Sequence, residues 1–433
     1  MRSKAAATTL GAHRPGPQVS WQELARAAKW SVACTSCDAT PDADPFRRCE
    51  KCGSSLDVRY DTAQIADAPE WVRGKPHTIW GYSELLPTVG VSVSLGEGDT
   101  PLRSSQRLAE AYARRVFWKI EAANPTHSHK DRYHSVAVSI ARSLGYTGIV
   151  GSSTGNHGIA GAAYATVGGL RSLMFYPPEV PFSFLYLTAL YGGRAAVTSS
   201  ERRAEALAYV RQRPGWCPVD DTNPFGIEGY KTIAYEIVRD MGHAPEMVFI
   251  PVGSGTLFIG VFRGFRDLVS LGLIGQMPRL VACQARGVNI LTQPFVDGKT
   301  AIPRREHIYT VALSTKEPTA DPRVLDALRT TDGAVVTVGE REILAAVSAL
   351  GREGLAAEPA AALSAAAVET LLQSGEIAAD AEVVCILTSS LVTTPDLFPE
   401  VTSERPWRLG SDNHDLADHI SRWDASMTDQ GAG

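Results

Sequence analysis

Residues 117–141 read FWKIEAANPTHSHKDRYHSVAVSIA. An apolar run is followed by a Pro-bounded loop, and Lys130 stands where that loop enters a helix rich in Ala and Val. In sheets of parallel strands, ligands bind in the crevice beyond the carboxyl ends of the strands. A lysine at this junction can reach such a crevice, whereas one in the middle of a surface helix cannot. Lysine is also the side chain that forms imines with carbonyl compounds, provided its surroundings leave some amine unprotonated. Taken alone, a Lys-Asp-Arg triplet is the ordinary start of a solvated helix.

Working outward, short apolar runs recur between Ala-rich segments of helical spacing: YTGIVGSS at 146–153, RSLMFYP at 171–177, EMVFIPVG at 246–253, RLVACQA at 279–285 and EVVCILT at 382–388. Strands that end in Gly, Ser or Pro and then enter helices mark parallel α/β units. Two of these junctions are glycine-rich. One presents Ser152, Ser153, Thr154, Gly155, Asn156, His157 and Gly158, and the other presents Gly253, Ser254, Gly255 and Thr256. Glycine allows close backbone approach, and the free N–H groups of a helix start suit a phosphate.

The composition supports this reading and closes off others. A chain of 433 residues, 44% hydrophobic and 21% charged, has the length and balance of a globular protein of two or three domains. A formal net charge of -5 gives no electrostatic reason to expect nucleic acid or an anionic membrane as a partner. Apolar stretches are interrupted well short of the roughly 20 residues a bilayer span needs.

Of the seven cysteines, Cys34, Cys37, Cys49 and Cys52 form two C-x-x-C pairs separated by eleven residues, and the other three are scattered among apolar neighbours. Four such thiolates suit a closed tetrahedral zinc site, which would be structural because no coordination position stays open. A ribbon that kept its cysteines without metal, or a redox-active pair, would show the same spacing. An odd cysteine count without a disulfide framework points to a reducing cytoplasm. The expected organisation is an arm over 1–18, a cysteine ribbon over 19–60, a large domain from 61–134 and 201–400, a small α/β domain over 135–200, and a polar tail over 401–433.

Together, the lysine segment and the two glycine-rich loops resemble the pyridoxal-phosphate enzymes of fold type II, the tryptophan synthase beta superfamily. Within it the likeness is to threonine synthases. It rests on GEGDTPL (96–102), NPTHSHKDR (124–132), SSTGNHG (152–158), NPFGIEGYKT (223–232), the GSGT loop and REGLAAEPAAALSA (352–365), in that order, behind the cysteine ribbon. The resemblance implies an α/β fold of two parallel-sheet domains with a zinc-ribbon-like extension, and commonly a homodimer acting on a small amino acid. It implies that Lys130 holds pyridoxal phosphate as an imine and that Asn156 meets the cofactor's phenolic oxygen. Gly253, Ser254, Gly255 and Thr256 would cradle its phosphate, and Thr388 would face the pyridine nitrogen. A hydroxyl there cannot hold that nitrogen as a strong cation, so elimination and replacement are favoured over transamination.

The departures fall on the substrate side. Where threonine synthases carry Ser and Arg to grip the phosphate of O-phosphohomoserine, this chain has Asp221 and Gly226, and Ser254 replaces an asparagine. The usual Gly-Ser-Phe-Lys becomes His127-Ser128-His129-Lys130, and the usual Gly-His-Gly-Leu-Lys-Asp becomes residues 389–394, SSLVTT. A carboxylate set against a phosphate dianion costs several kcal/mol in a closed site. Phosphohomoserine is therefore expected to be a poor substrate unless Lys231 or another cation compensates. The expected substrate site comprises Ser153, Thr154, His129, Asp221 and Lys231, with Asp221 holding an amine or hydroxyl of some other amino acid. His127, His129 and His134 are candidates to relay protons, or else satisfied polar residues beside a loop, and His157 is expected to pack in its loop. Three functions stay open: elimination or replacement on a non-phosphorylated amino acid, threonine synthase itself, and a silent relative used for binding or regulation.

Overall fold

The computed structural model of the chain describes residues 20–27, 30–42, 45–46, 48–60, 74, 76–87, 90, 92–220, 223–297, 312, 321–402 and 420–421. The expected arm, most of the stretch between 61 and 91, Asp221 and most of the tail lie outside the described residues. The chain divides into a body, Met1–Pro395, and a C-terminal unit, Asp396–Gly433, in which a short helix runs Phe398–Val401.

Among the described residues the body contains three sheets. The first is an antiparallel pair, β1 (Trp30–Cys34) with β2 (Leu56–Tyr60). The second contains β3 (Leu102–Ser104), β4 (Arg115–Ile120), β9 (Met247–Pro251), β10 (Arg279–Ala285), β11 (Ala334–Val338) and β12 (Glu382–Leu387), in the order β11-β10-β9-β12-β4-β3. All its neighbours run parallel except β3. The third is all parallel, β5 (Gly148–Ser152), β6 (Arg171–Tyr176), β7 (Arg194–Val197) and β8 (Trp216–Pro218), in the order β7-β6-β5-β8.

β9 and β12 are buried along their whole length, as the near-continuous apolar sequences MVFIP and EVVCIL require. The expected apolar runs at 146–153, 171–177, 246–253, 279–285 and 382–388 are all strands. The expected helix after the Pro-bounded loop is Lys130–Ser143, with eleven buried residues on its way through the core.

One cluster of buried charges organises the start of the Lys130 helix. Arg132, Glu121, Glu236 and Lys119 have fully buried side chains. Arg132 donates from Nε to Glu121 Oε2 at 2.7 Å, from Nη1 to Glu236 Oε1 at 2.6 Å and Thr232 Oγ1 at 2.8 Å, and from Nη2 to both acids at 2.8 Å. Lys119 Nζ on β4 donates to Glu236 Oε2 and to the Thr100 carbonyl, each at 2.7 Å. Two cations face two carboxylates, so the cluster is neutral as a whole. Burial opposes the charge on Glu236, but Arg132 and Lys119 outweigh it and hold its carboxyl well below the usual carboxylate range.

The cluster ties together the start of the Lys130 helix, the end of β4, the 96–102 loop and the helix Pro224–Met241. That last helix lies very close to the Lys130 helix: a Cβ added at Gly229 would come within 2.0 Å of the Arg132 carbonyl oxygen. Replacing Arg132 with Met leaves Glu121 and Glu236 buried with too little positive charge, and breaking such a network costs about 3–5 kcal/mol. The urea midpoint of Arg132→Met at pH 7 is expected to fall accordingly, with little change in the slope of the transition.

Candidate active site

The carboxyl ends of the strands in the two parallel sheets open onto one cavity of about 290 Å³. Lys130 sits at its edge as the first residue of its helix, with Nζ 5.7 Å from the centre of the Tyr230 ring. The loop before it is stitched to the end of β12. His129 N–H and His129 Nδ1 both meet the Thr388 carbonyl, at 2.9 and 3.0 Å, and Ser390 N–H donates to the His127 carbonyl at 3.0 Å. His127 takes a left-handed φ of 65°, a local turn that two hydrogen bonds from Thr126 to the Asp131 carboxylate hold closed.

The Asn156 helix, Asn156–Val167, starts directly after β5 and its glycine-rich turn. Ser153 Oγ accepts from the N–H groups of Gly155 at 3.0 Å and Gly158 at 2.8 Å, which bends the turn around the hydroxyl. Asn156 Nδ2 donates to Glu358 Oε1 at 3.0 Å, while Asn156 Oδ1 is buried with no partner. Burial pushes the Glu358 carboxyl up from its ordinary value. A protonated Glu358 would donate to the amide oxygen instead and release Nδ2, so in either setting one amide heteroatom is left for a ligand. On the other side, β9 leads through Gly253, Ser254 and Gly255 into the helix Thr256–Ser270. Gly255 has φ 93°, and a Cβ there would come within 2.4 Å of Val324, so this turn excludes larger residues. The first N–H groups of that helix have no helical acceptor and suit an anion.

His129, Lys130, Ser153, Thr154, Asn156, Gly253, Ser254, Gly255, Thr256 and Thr388 therefore all line one cavity. Lys231 does not line it. Its Nζ is buried, pairs with Glu228 at 2.9 Å and Asp267 at 2.8 Å, and lies over the Tyr60 ring. One residue along the helix, about 100° of rotation, points it into the core, away from the Tyr230 face that meets Lys130, and its charge is spent on those two acids. Three of the histidines, His129, His134 and His157, are neutral, because burial lowers their pKa, that of His157 to about 3. His157 Nε2 lies 2.8 Å from the Val219 carbonyl and so carries a proton. Its Nδ1 then accepts from His134 Nε2 at 3.1 Å. His157 thus lines the cavity while anchoring β8's exit loop, which is more than filling its own turn.

Three charged residues of the cavity escaped the reading of the sequence: Glu358, Asp220 and Arg203. Glu358 had a signal, since it precedes Pro359 at the start of a buried helix within a quoted motif. Arg203 had none, being one of four charged residues in the first half of a polar helix, Ser200–Arg211.

The cysteines lie far from this chemistry in sequence, at the tips of the β1–β2 hairpin. Cys34 and Cys52 Sγ are 3.4 Å apart, Cys37 and Cys49 are 3.6 Å apart, and all four sulfurs lie within 4.8 Å of one another. Four sulfurs about 2.3 Å from a common centre would be about 3.8 Å apart, so the thiols already approach a tetrahedral set. The described cysteines are all free thiols.

Two parallel α/β sheets meeting at a lysine, an unsatisfied amide and a glycine-rich helix start define a carbonyl-cofactor enzyme with an anion cradle. Comparison with known proteins makes this specific. Residues 93–389 match the family described as pyridoxal-phosphate dependent enzyme. The threonine synthase of Methanosarcina acetivorans is 32% identical over 384 residues, covering 87% of this chain and 95% of that protein. That of Methanocaldococcus jannaschii is 32% identical over 391 residues, covering 88% and 96%. Among solved structures, a T.th. threonine deaminase superposes with a TM-score of 0.58 at 25% identity over 67% of this chain and 92% of that one. Maize serine racemase superposes with 0.61 at 21% identity over 70% and 91%, a likeness of fold. The chain belongs to the pyridoxal-phosphate-dependent enzymes of fold type II, and it is a lyase or synthase of the threonine synthase-like type.

Asp131, next to the lysine, offers a test of how the loop is held. Burial pushes its carboxyl up to about 8 despite the two hydrogen bonds from Thr126. Because the folded value lies above the unfolded one, its contribution to stability is complete below about pH 4 and is lost as pH rises through about 8. Measured by urea denaturation, the wild type is expected to lose stability relative to Asp131→Asn between those limits, by no more than about 1.4 kcal/mol per pH unit.

Proposed function

We propose that the enzyme carries out elimination or replacement on an amino acid other than O-phosphohomoserine, with Lys130 as cofactor anchor and proton carrier. The observation that carries the first part is the convergence, in one cavity, of the Lys130 amine, the unsatisfied amide of Asn156 and the Gly253–Thr256 helix start. Those groups match an aldehyde, a phenolic oxygen and a phosphate, respectively. Thr388 supplies a neutral hydroxyl at the end of β12 for the ring nitrogen. When bound, the cofactor acts as an electron sink that acidifies the Cα hydrogen of the amino acid.

Lys130 is the base within the cavity that takes that proton, because the neighbouring imidazoles are occupied. His129 spends its Nδ1–H on the Thr388 carbonyl, which fixes the loop carrying Lys130. The N–H groups at the start of the Asn156 helix, with Thr154 and the turn shaped by Ser153, hold the substrate carboxylate. The Tyr230 ring beside Lys130 Nζ keeps water from one side of the amine.

Support for excluding phosphohomoserine comes from Gly226. A Cβ there would lie 2.3 Å from the Tyr133 ring, so the arginine found at this position in threonine synthases has no space here. Lys231, the other candidate cation, is neutralised in the core. The 32% identity with threonine synthases favours the second reading, that the chain is itself a threonine synthase with a rebuilt phosphate site.

Steady-state assays separate the two. Phosphate release from O-phosphohomoserine is expected below about 0.01 per second, two orders of magnitude under ordinary turnover, and release at ordinary rates favours the second reading. Lys130→Ala is expected to lose the visible absorbance of the reconstituted protein and at least about 10³-fold in activity on any substrate found.

The cysteine cluster is proposed as a structural zinc site in a reducing, cytoplasmic setting, and the assembly as a homodimer. Metal analysis is expected to return about one zinc per chain, and Cys37→Ser with Cys52→Ser to abolish it. The double variant is expected to melt lower, while the visible absorbance of the remaining folded fraction is retained.

A further inference from the structure

Two cations line the cavity among the described residues, Lys130 and Arg203. In the proposed function Lys130 serves the cofactor. Arg203 has no comparable task. Its Nη1 is buried and has no hydrogen-bond partner. The acids of the cavity do not serve it, since Asp220 is paired with Arg211, and Glu358 accepts from Asn156. Leaving a buried guanidinium N–H unpaired is costly, so a native protein that keeps one there has a use for it.

The helix that carries Arg203 is otherwise a surface element. Among the described residues of Ser200–Arg211 only Val210 is buried, and the adjacent Arg202 is exposed while Arg203 turns inward. Arg203 is half-buried, with its Nη1 out of reach of solvent.

The anions can be counted against the groups that suit them. The Thr256 helix start suits the cofactor's phosphate, and the Asn156 helix start suits the substrate's α-carboxylate. Arg203 is a third anion-binding group, and the cofactor and an uncharged amino acid together bring only two anions. Resting on the functional reading above, we propose that Arg203 is a specificity-determining residue that binds a distal carboxylate on the amino-acid substrate.

The choice of a carboxylate over a phosphate follows from charge. A phosphate dianion is ordinarily gripped by several cationic and neutral donors. Here one guanidinium is free, Tyr133 fills the space at Gly226, and Asp220 contributes an acid to the same lining. One planar guanidinium pairs with one carboxylate through two parallel hydrogen bonds.

The test uses the full-length protein reconstituted with pyridoxal phosphate. Calorimetry and the visible absorbance are followed as L-glutamate, L-glutamine, L-aspartate, L-asparagine and O-phospho-L-homoserine are added. The wild type is expected to bind at least one acid about tenfold or more tighter than its amide. Arg203→Gln is expected to erase that margin while weakening the amide less than about threefold, and Arg203→Lys is expected to keep part of it. An acid and amide that bind alike, equal losses for both in Arg203→Gln, or a phosphate ligand held more tightly than either acid would overturn the assignment. Failure of the functional reading looks different: a Lys130→Ala protein that keeps the cofactor's absorbance refutes that reading, and calorimetry still reads the Arg203 margin.

Discussion

The side chain of Arg132, two residues after the lysine, is buried between two carboxylates and holds the active site in place. A guanidinium at that depth is tolerated only because Glu121, Glu236, Thr232 and Thr100 together accept its hydrogen bonds, and because Lys119 balances the second acid. The result is directional. Together the hydrogen bonds fix the first turn of the Lys130 helix against three elements, the 96–102 loop, the turn after β4 and the helix Pro224–Met241, so the backbone at Lys130 has little freedom to rotate or slide. A purely apolar core of equal volume would pack as densely but would specify the position less narrowly.

The cavity above that anchor is assembled from strand ends of both parallel sheets, as expected for ligand sites in α/β folds. Its polarity is uneven. Around Lys130, neutral imidazoles, hydroxyls and helix N–H groups dominate, and burial keeps His129, His134 and His157 uncharged at physiological pH. Asp220 and Arg203 add charged residues to the same lining, from the segment after β8 and from the helix Ser200–Arg211. The fold is shared with a serine racemase and a threonine deaminase, so the fold alone does not fix the substrate. In this chain Tyr133 and Gly226 form a coupled pair: a Cβ at 226 would lie 2.3 Å from the Tyr133 ring.

Much of the site was legible because it is contiguous in sequence. Lys130, the 152–158 turn and the 253–256 turn each combine glycine, hydroxyl residues and a following helix within a few positions, and local backbone geometry is enough to give such motifs meaning. Cys34, Cys37, Cys49 and Cys52 were legible for the same reason, since a hairpin brings two short pairs together. Lys231 was misleading because a helix offers every residue a direction, and the neighbours Glu228 and Asp267 decided it. Arg203 left no trace, because its inward turn depends on β5, β6 and β8 lying beneath its helix.

The sequence by itself determined the alternation of strands and helices, the lysine at a strand-to-helix junction, the anion-binding turns and the cysteine hairpin. Each follows from steric and hydrogen-bonding rules that act over a handful of residues. Only the tertiary structure decided which charges are spent and which remain available. Arg132, Lys119 and Lys231 neutralise buried acids, whereas Arg203 keeps a buried donor unpaired at the cavity. The reason is physical: the energy of a charge depends on every group within a few ångströms of it, and most of those groups arrive from distant parts of the chain.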